Sequence, residues 1–173
     1  ADHSGGAAIL REYFDFKLVI SNEEQELIEK GTEWELGLTL AKRSGFYPED
    51  YKYQHTKVDI CVDDSSAFKI GDILIKTIVV PGHSHAGVCY LAQTEGGNSL
   101  FSGDTVFLKG LISLLNCPGS DINAYRDNIT KLSGLNIQRL FPGHDLWTLR
   151  NGQKHIDMAI KNLSTTKLPQ MKI

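Results

Sequence analysis

Residues 58–101 limit the fold more than any other stretch of this chain. Short runs rich in β-branched residues fall at 58–62, 67–70, 73–80, 88–92 and 99–101, and Gly-Asp, Pro-Gly and Gly-Gly turns separate them. Runs of this length between turn residues predict consecutive sheet strands. Another strand is expected at 139–141. Asp121 is the expected N-cap of a helix running to about Leu135, with Ile122, Tyr125, Ile129 and Leu132 on one face. Residues 151–163 read as a closing helix, with Ile156, Ala159, Ile160 and Leu163 at helical spacing. Before the strands, a helix is expected over 6–14, its apolar face made by Ala8, Ile9, Leu10 and Tyr13, and a strand over 16–20. Ser21 and Glu24 have the spacing of a capping box for a helix that turns Leu27 and Ile28 inward. A second helical run is expected over 33–43, and 49–56 reads as aromatic and irregular. The tail after Ser164 is polar and reads as a frayed end. The pattern is that of one mixed α/β domain, with helices outside and strands meeting inside.

Composition narrows the functional classes. At 173 residues the chain is long enough to bury a core of its own. No apolar run approaches the ~18 residues of a membrane span, and residues 73–81 are interrupted by Lys76. A net charge of -3 without a Lys or Arg stripe argues against a nucleic-acid surface. Cys61, Cys89 and Cys117 are scattered and form no C-x-x-C pair, which suits free thiols in a reducing, cytoplasmic setting and not a cysteine-based zinc knuckle. No basic segment leading into an apolar one opens the sequence. The chain begins at Ala1 without an initiator Met, so further sequence is expected upstream.

Four stretches place a metal-capable side chain beside Gly or Pro, or one residue away. Asp2-His3-Ser4-Gly5-Gly6 precedes the first expected helix. Pro81-Gly82-His83, Gly103-Asp104-Thr105 and Pro142-Gly143-His144-Asp145 each follow an expected strand. Strand ends on one sheet edge converge, and Gly and Pro let the chain turn sharply enough to aim a ligand across that edge. Histidines with carboxylates suit Zn, Fe or Mn better than Ca or Mg. Gly71-Asp72 is an ordinary turn of the same composition and reads as structural.

Taken in order, these stretches resemble the metallo-β-lactamase superfamily. Its opening motif is His-x-His-x-Asp-His followed by a Gly-Gly-like turn, and Asp2, His3 and Gly5-Gly6 match the latter part of it. Pro81–Ser84 match Pro-Gly-His-(Ser/Thr)-x-Gly, with Ala86 where the closing Gly is usual. Gly103–Thr105 match Gly-Asp-(Thr/Ala), and Pro142–His144 match the last motif. The resemblance implies an αβ/βα sandwich of mixed sheets with outer helices, of which this chain supplies mostly the second half. It implies two zinc ions, with Fe or Mn as substitutes. One metal would use two histidines upstream of Ala1 together with His83. The other would use Asp2, His3 and His144, with Asp104 bridging. Asp2 would also steer the nucleophile or pass a proton to the leaving group.

The implied function is hydrolysis of a small molecule by metal-activated water, in a protein with no nucleic-acid or membrane partner and an oligomeric state that the sequence leaves open. Glyoxalase-type thioesterases carry a Gly-Cys-Gly-Arg stretch soon after Gly-Asp. Here the region reads Val106-Phe107-Leu108-Lys109-Gly110. True β-lactamases often place Lys where Phe107 stands. A small ester, lactone or thioester remains. The alternatives are a di-iron redox relative and a non-catalytic fragment with an incomplete metal site. His85 and Lys109 could contact substrate, but a solvent-facing turn residue and an ordinary surface lysine are the plainer readings. His55 and His155 read as packing and boundary residues, and Cys117 as no nucleophile, since no activating partner is evident.

Overall fold

The computed structural model describes residues 1–165, Pro169 and Met171. They form two compact units: residues 1–62 with 116–118, and the described residues of 63–115 and 119 onward.

The first unit contains helix α1 (Ala7–Leu10), strand β1 (Val19–Ser21), helices α2 (Gln25–Lys30) and α3 (Leu38–Arg43), and strand β2 (Ile60–Val62). β1 and β2 pair in parallel, Val19 opposite Ile60 and Ser21 opposite Val62. Three sequence expectations are corrected here. The helix expected over 6–14 is a single turn, which buries Ala7 and leaves Tyr13 73% exposed. No side chain caps its start, and Arg11 is drawn away to Thr56 Oγ1 at 2.9 Å, the Lys57 carbonyl at 2.7 Å and the Asp59 carboxylate. That guanidinium, with the Leu18 N–H, holds the Asp59 carboxyl below the usual carboxylate range. Ser21 makes no cap: it is the buried last residue of β1, and α2 begins only at Gln25 after a 3₁₀ turn. The helix expected over 33–43 is confined to α3, because Gly37 at φ +69° stops it from extending toward Glu33. A reciprocal capping pair forms just before it, where Glu35 Oε2 accepts from the Thr32 N–H at 2.8 Å and Thr32 Oγ1 accepts from the Glu35 N–H at 3.3 Å.

The second unit carries a five-stranded sheet in the order β3 (Ala67–Ile70), β4 (Ile73–Val79), β5 (Val88–Thr94), β6 (Gly97–Gly103), β7 (Ile137–Pro142). The first three junctions are antiparallel and β6–β7 is parallel. Two helices, α4 (Ile122–Asn128) and α5 (Gly152–Leu163), supply the helical side of the core. That core joins Cys89, Leu91, Leu100, Ile137 and Leu140 of the sheet to Tyr125 of α4 and Ile156, Ala159 and Leu163 of α5. Asp121 caps α4 as expected, accepting from the Asn123 and Ala124 N–H groups. The helix is shorter than expected, passing into a 3₁₀ turn at Ile129–Leu132. The expectation for the tail after Ser164 falls mostly outside the described residues. Among those described, no helix is long and apolar enough to cross a membrane.

Strand direction now decides where the motifs lie. β4 and β6 both run opposite to β5, and β7 runs with β6, so the carboxyl ends of β4, β6 and β7 share one edge.

Candidate metal centre

His83 sits in the turn that links β4 to β5. Gly82 before it has φ +146°, and a Cβ there would lie 2.4 Å from Cγ of Tyr125, so the position excludes any side chain. The turn is held by the Val80 N–H on the Gly87 carbonyl at 2.8 Å and the Asp121 N–H on the Gly82 carbonyl at 2.9 Å. Asp104 follows the last residue of β6. Its loop is closed by the Thr105 N–H on the Ser102 carbonyl at 3.0 Å and by the buried Ser102 hydroxyl, which donates to the Val106 carbonyl at 2.7 Å. His144 follows β7, and the Gly143 N–H continues the parallel ladder to the Gly103 carbonyl at 2.8 Å.

These three loops bring three of the five expected ligands together. Nε2 of His83 lies 3.7 Å from Oδ2 of Asp104, and Nε2 of His144 lies 3.5 Å from the same oxygen. The Asp104 side chain is 10% exposed, against 19% for His83 and 37% for His144. Nδ1 of His83 is 3.0 Å from the Ser113 carbonyl. A carbonyl only accepts, so Nδ1 carries a proton, and in the neutral ring Nε2 is the nitrogen that can coordinate. Asp2 and His3 belong to the first unit, where Nε2 of His3 lies 3.6 Å from Oδ2 of Asp2.

The donor set of the second unit fits a transition-metal ion. Two ligands each about 2.1 Å from a tetrahedral ion stand about 3.4 Å apart, close to both separations seen at Asp104. One carboxylate oxygen between two imidazole nitrogens is the donor chemistry of Zn or Fe rather than of Mg or Ca.

The solved structure of the B3 metallo-beta-lactamase BLEG-1 has the same fold, with a TM-score of 0.68 and 24% identity over 88% of this chain and 68% of that one. The profile of the metallo-beta-lactamase superfamily matches residues 1–144. This chain belongs to the metallo-β-lactamase superfamily. Among curated relatives, a hydroxyacylglutathione hydrolase of Francisella tularensis subsp. holarctica is 32% identical over 112 residues, 61% of this chain and 43% of that protein. A Bacillus velezensis protein named "Probable polyketide biosynthesis zinc-dependent hydrolase BaeB" is 31% identical over 105 residues, 60% of this chain and 44% of the relative. The chain thus spans under half the length of these two curated relatives.

Sequence reasoning missed two contributors to the His/Asp cluster. Ser113 contributes through its carbonyl, which no side-chain pattern reveals. Tyr125 was read as a core position only. Its hydroxyl stands 3.2 Å from the Asp104 carbonyl and 3.1 Å from the Ser113 carbonyl. Burial, and after it the neighbouring Cys89 and Asp104, push this phenol well above its ordinary range, so it remains a donor. The available signal was chemical: a tyrosine within an aliphatic stripe needs a partner for its O–H. Of the secondary candidates, His85 is exposed, and its backbone and ring crowd Gly119, where a Cβ would lie 2.7 Å from its Cδ2. His155 accepts the Lys109 N–H at 2.9 Å, and burial holds its pKa below the usual imidazole range. His55 bonds the Ile28 carbonyl at 3.0 Å and lies edge-on to Tyr53.

Proposed function

We propose that this chain belongs to a metal-dependent hydrolase that cleaves a small ester, lactone or thioester, with His83, Asp104 and His144 as metal ligands. The observation that carries this reading is the approach of two imidazole nitrogens to Oδ2 of Asp104 at 3.7 and 3.5 Å. Two zinc ions are the proposed occupants, supported by the donor types and by the relative named as a zinc-dependent hydrolase. Asp2 and His3 enter as ligands on their motif alone. Bound zinc supplies Lewis-acid activation, polarising a substrate oxygen and lowering the pKa of a coordinated water to about 7.

The protein's own residues have separate tasks. Asp104, nearly buried between the two imidazoles, sets the spacing of whatever they bind. His83 is held in one tautomer by the Ser113 carbonyl and presents Nε2. The carboxylate of Asp2 would either steer the attacking water or take a proton from that water and hand it to the leaving oxygen or sulfur.

Metal content per chain, with the N-terminus checked by mass, is the first test. In a protein that carries the two upstream histidines of the opening motif, zinc at near two per chain, together with turnover of an ester, lactone and thioester panel, is the expected result. Asp104→Asn should lower zinc affinity by more than the roughly 100-fold that losing an outer partner of a ligand can cost. A metal-free protein after equilibration with zinc, or an Asp104→Asn variant that binds zinc as before, overturns the reading. Iron at the same stoichiometry would point to redox chemistry instead.

A further inference from the structure

The functional reading leaves unexplained a phenol with no exposed surface. Tyr125 is wholly buried on α4, its ring against Gly82 and its hydroxyl near the carbonyls of Asp104 and Ser113, at 3.2 and 3.1 Å. The Ser113 carbonyl is also the acceptor of His83 Nδ1, at 3.0 Å. One side chain therefore touches the backbone before His83, the backbone of Asp104 and the group that orients the His83 ring. Packing alone does not call for the hydroxyl, because Phe fills nearly the same volume without burying a polar atom.

We propose that Tyr125 is a positioning residue of the metal centre: its hydroxyl pins the Asp104 and Ser113 carbonyls and, through Ser113, sets the ring orientation and tautomer of His83. This rests on the reading of His83 and Asp104 as metal ligands. Tyr125 acts only through those residues. Without the hydroxyl the two carbonyls lose the one donor they share, and the Ser113 segment can shift away from His83. The imidazole then samples orientations in which Nε2 no longer faces Asp104. Outer partners of this kind govern affinity because they hold ligands in binding geometry before the ion arrives.

The test is Tyr125→Phe in the full chain, compared with Ile129→Val, which trims the same buried face without touching the centre. Zinc affinity by chelator competition should fall about 10-fold or more in Tyr125→Phe, and the visible spectrum of the cobalt(II)-substituted protein should change. Ile129→Val should alter neither. The proposal is overturned if Tyr125→Phe matches the unaltered protein in both readouts, or if Ile129→Val weakens zinc equally, which would make the effect one of general stability. Independently of any variant, long-range ¹H–¹⁵N spectra of the metal-free protein should show His83 protonated at Nδ1; protonation at Nε2 also overturns it. If the unaltered protein takes up no metal, the proposed centre itself fails, a result distinct from a variant that binds normally.

Discussion

An imidazole offers a metal one lone pair, and the bond made by its other nitrogen decides which one. In His83 that bond goes to the Ser113 carbonyl, so the side chain is committed before any ligand arrives. The same local reasoning separates the thiols. Cys89 has no exposed surface, donates to the Ser102 carbonyl at 3.7 Å, and is pushed up to about 12 by burial. Burial raises Cys117 as well, whereas Cys61 is exposed and donates to Gln25 Oε1 at 3.1 Å. Because only the thiolate reacts, a disulfide reagent at mildly alkaline pH should modify Cys61 first, Cys117 more slowly, and Cys89 only once denaturant opens the core. Equal rates at all three in the native protein would contradict this order. The convergence of His83, Asp104 and His144 was legible because each stands beside Gly or Pro at a strand end. Ser113 was not, because the chemistry there belongs to a carbonyl that every residue type possesses.

At the scale of elements, two predicted caps had opposite outcomes. Asp121 precedes a helix anchored by Tyr125, with Ile129 and Leu132 buried in the 3₁₀ turn that follows, and its carboxylate accepts from Asn123 N at 2.6 Å and Ala124 N at 3.3 Å. Asp121→Ala should cost about 1 kcal/mol in urea unfolding; a change below a few tenths would show that the helix start is fixed by packing instead. Ser21 had equally good spacing, but the ladder to Val62 claims its backbone for a strand. The strands of the second unit were readable nearly to their ends, since alternation and turn residues agree there. β5 and β6 extend beyond the apolar runs, through Thr94 and Gly97, because the hairpin ladder continues where hydrophobicity stops. The helices of the first unit were less readable. α1 and α3 are 4 and 6 residues long, and elements so short follow local tertiary bonds such as those of Arg11 rather than propensity.

For the molecule as a whole, a ligand that binds only the folded state adds to its stability. With zinc at about 100 times its dissociation constant, the gain is about 2.7 kcal/mol, or roughly 5–10 °C in melting temperature for a chain of this size. Differential scanning calorimetry with excess zinc against excess chelator measures it directly, and superimposable traces would argue against a folded-state metal site. One further consequence follows from β6 and β7 lying side by side in parallel. Antiparallel neighbours can zip together from a hairpin as they leave the ribosome, but a parallel pair waits for its whole crossover. Asp104 is synthesised 40 residues before His144, and the intervening chain, α4 included, must emerge before their strands can join. A nascent chain that already holds His83 and Asp104 cannot yet bring His144 to them. Metal capture at the proposed ligands would thereby wait until the parallel pair of the sheet has formed.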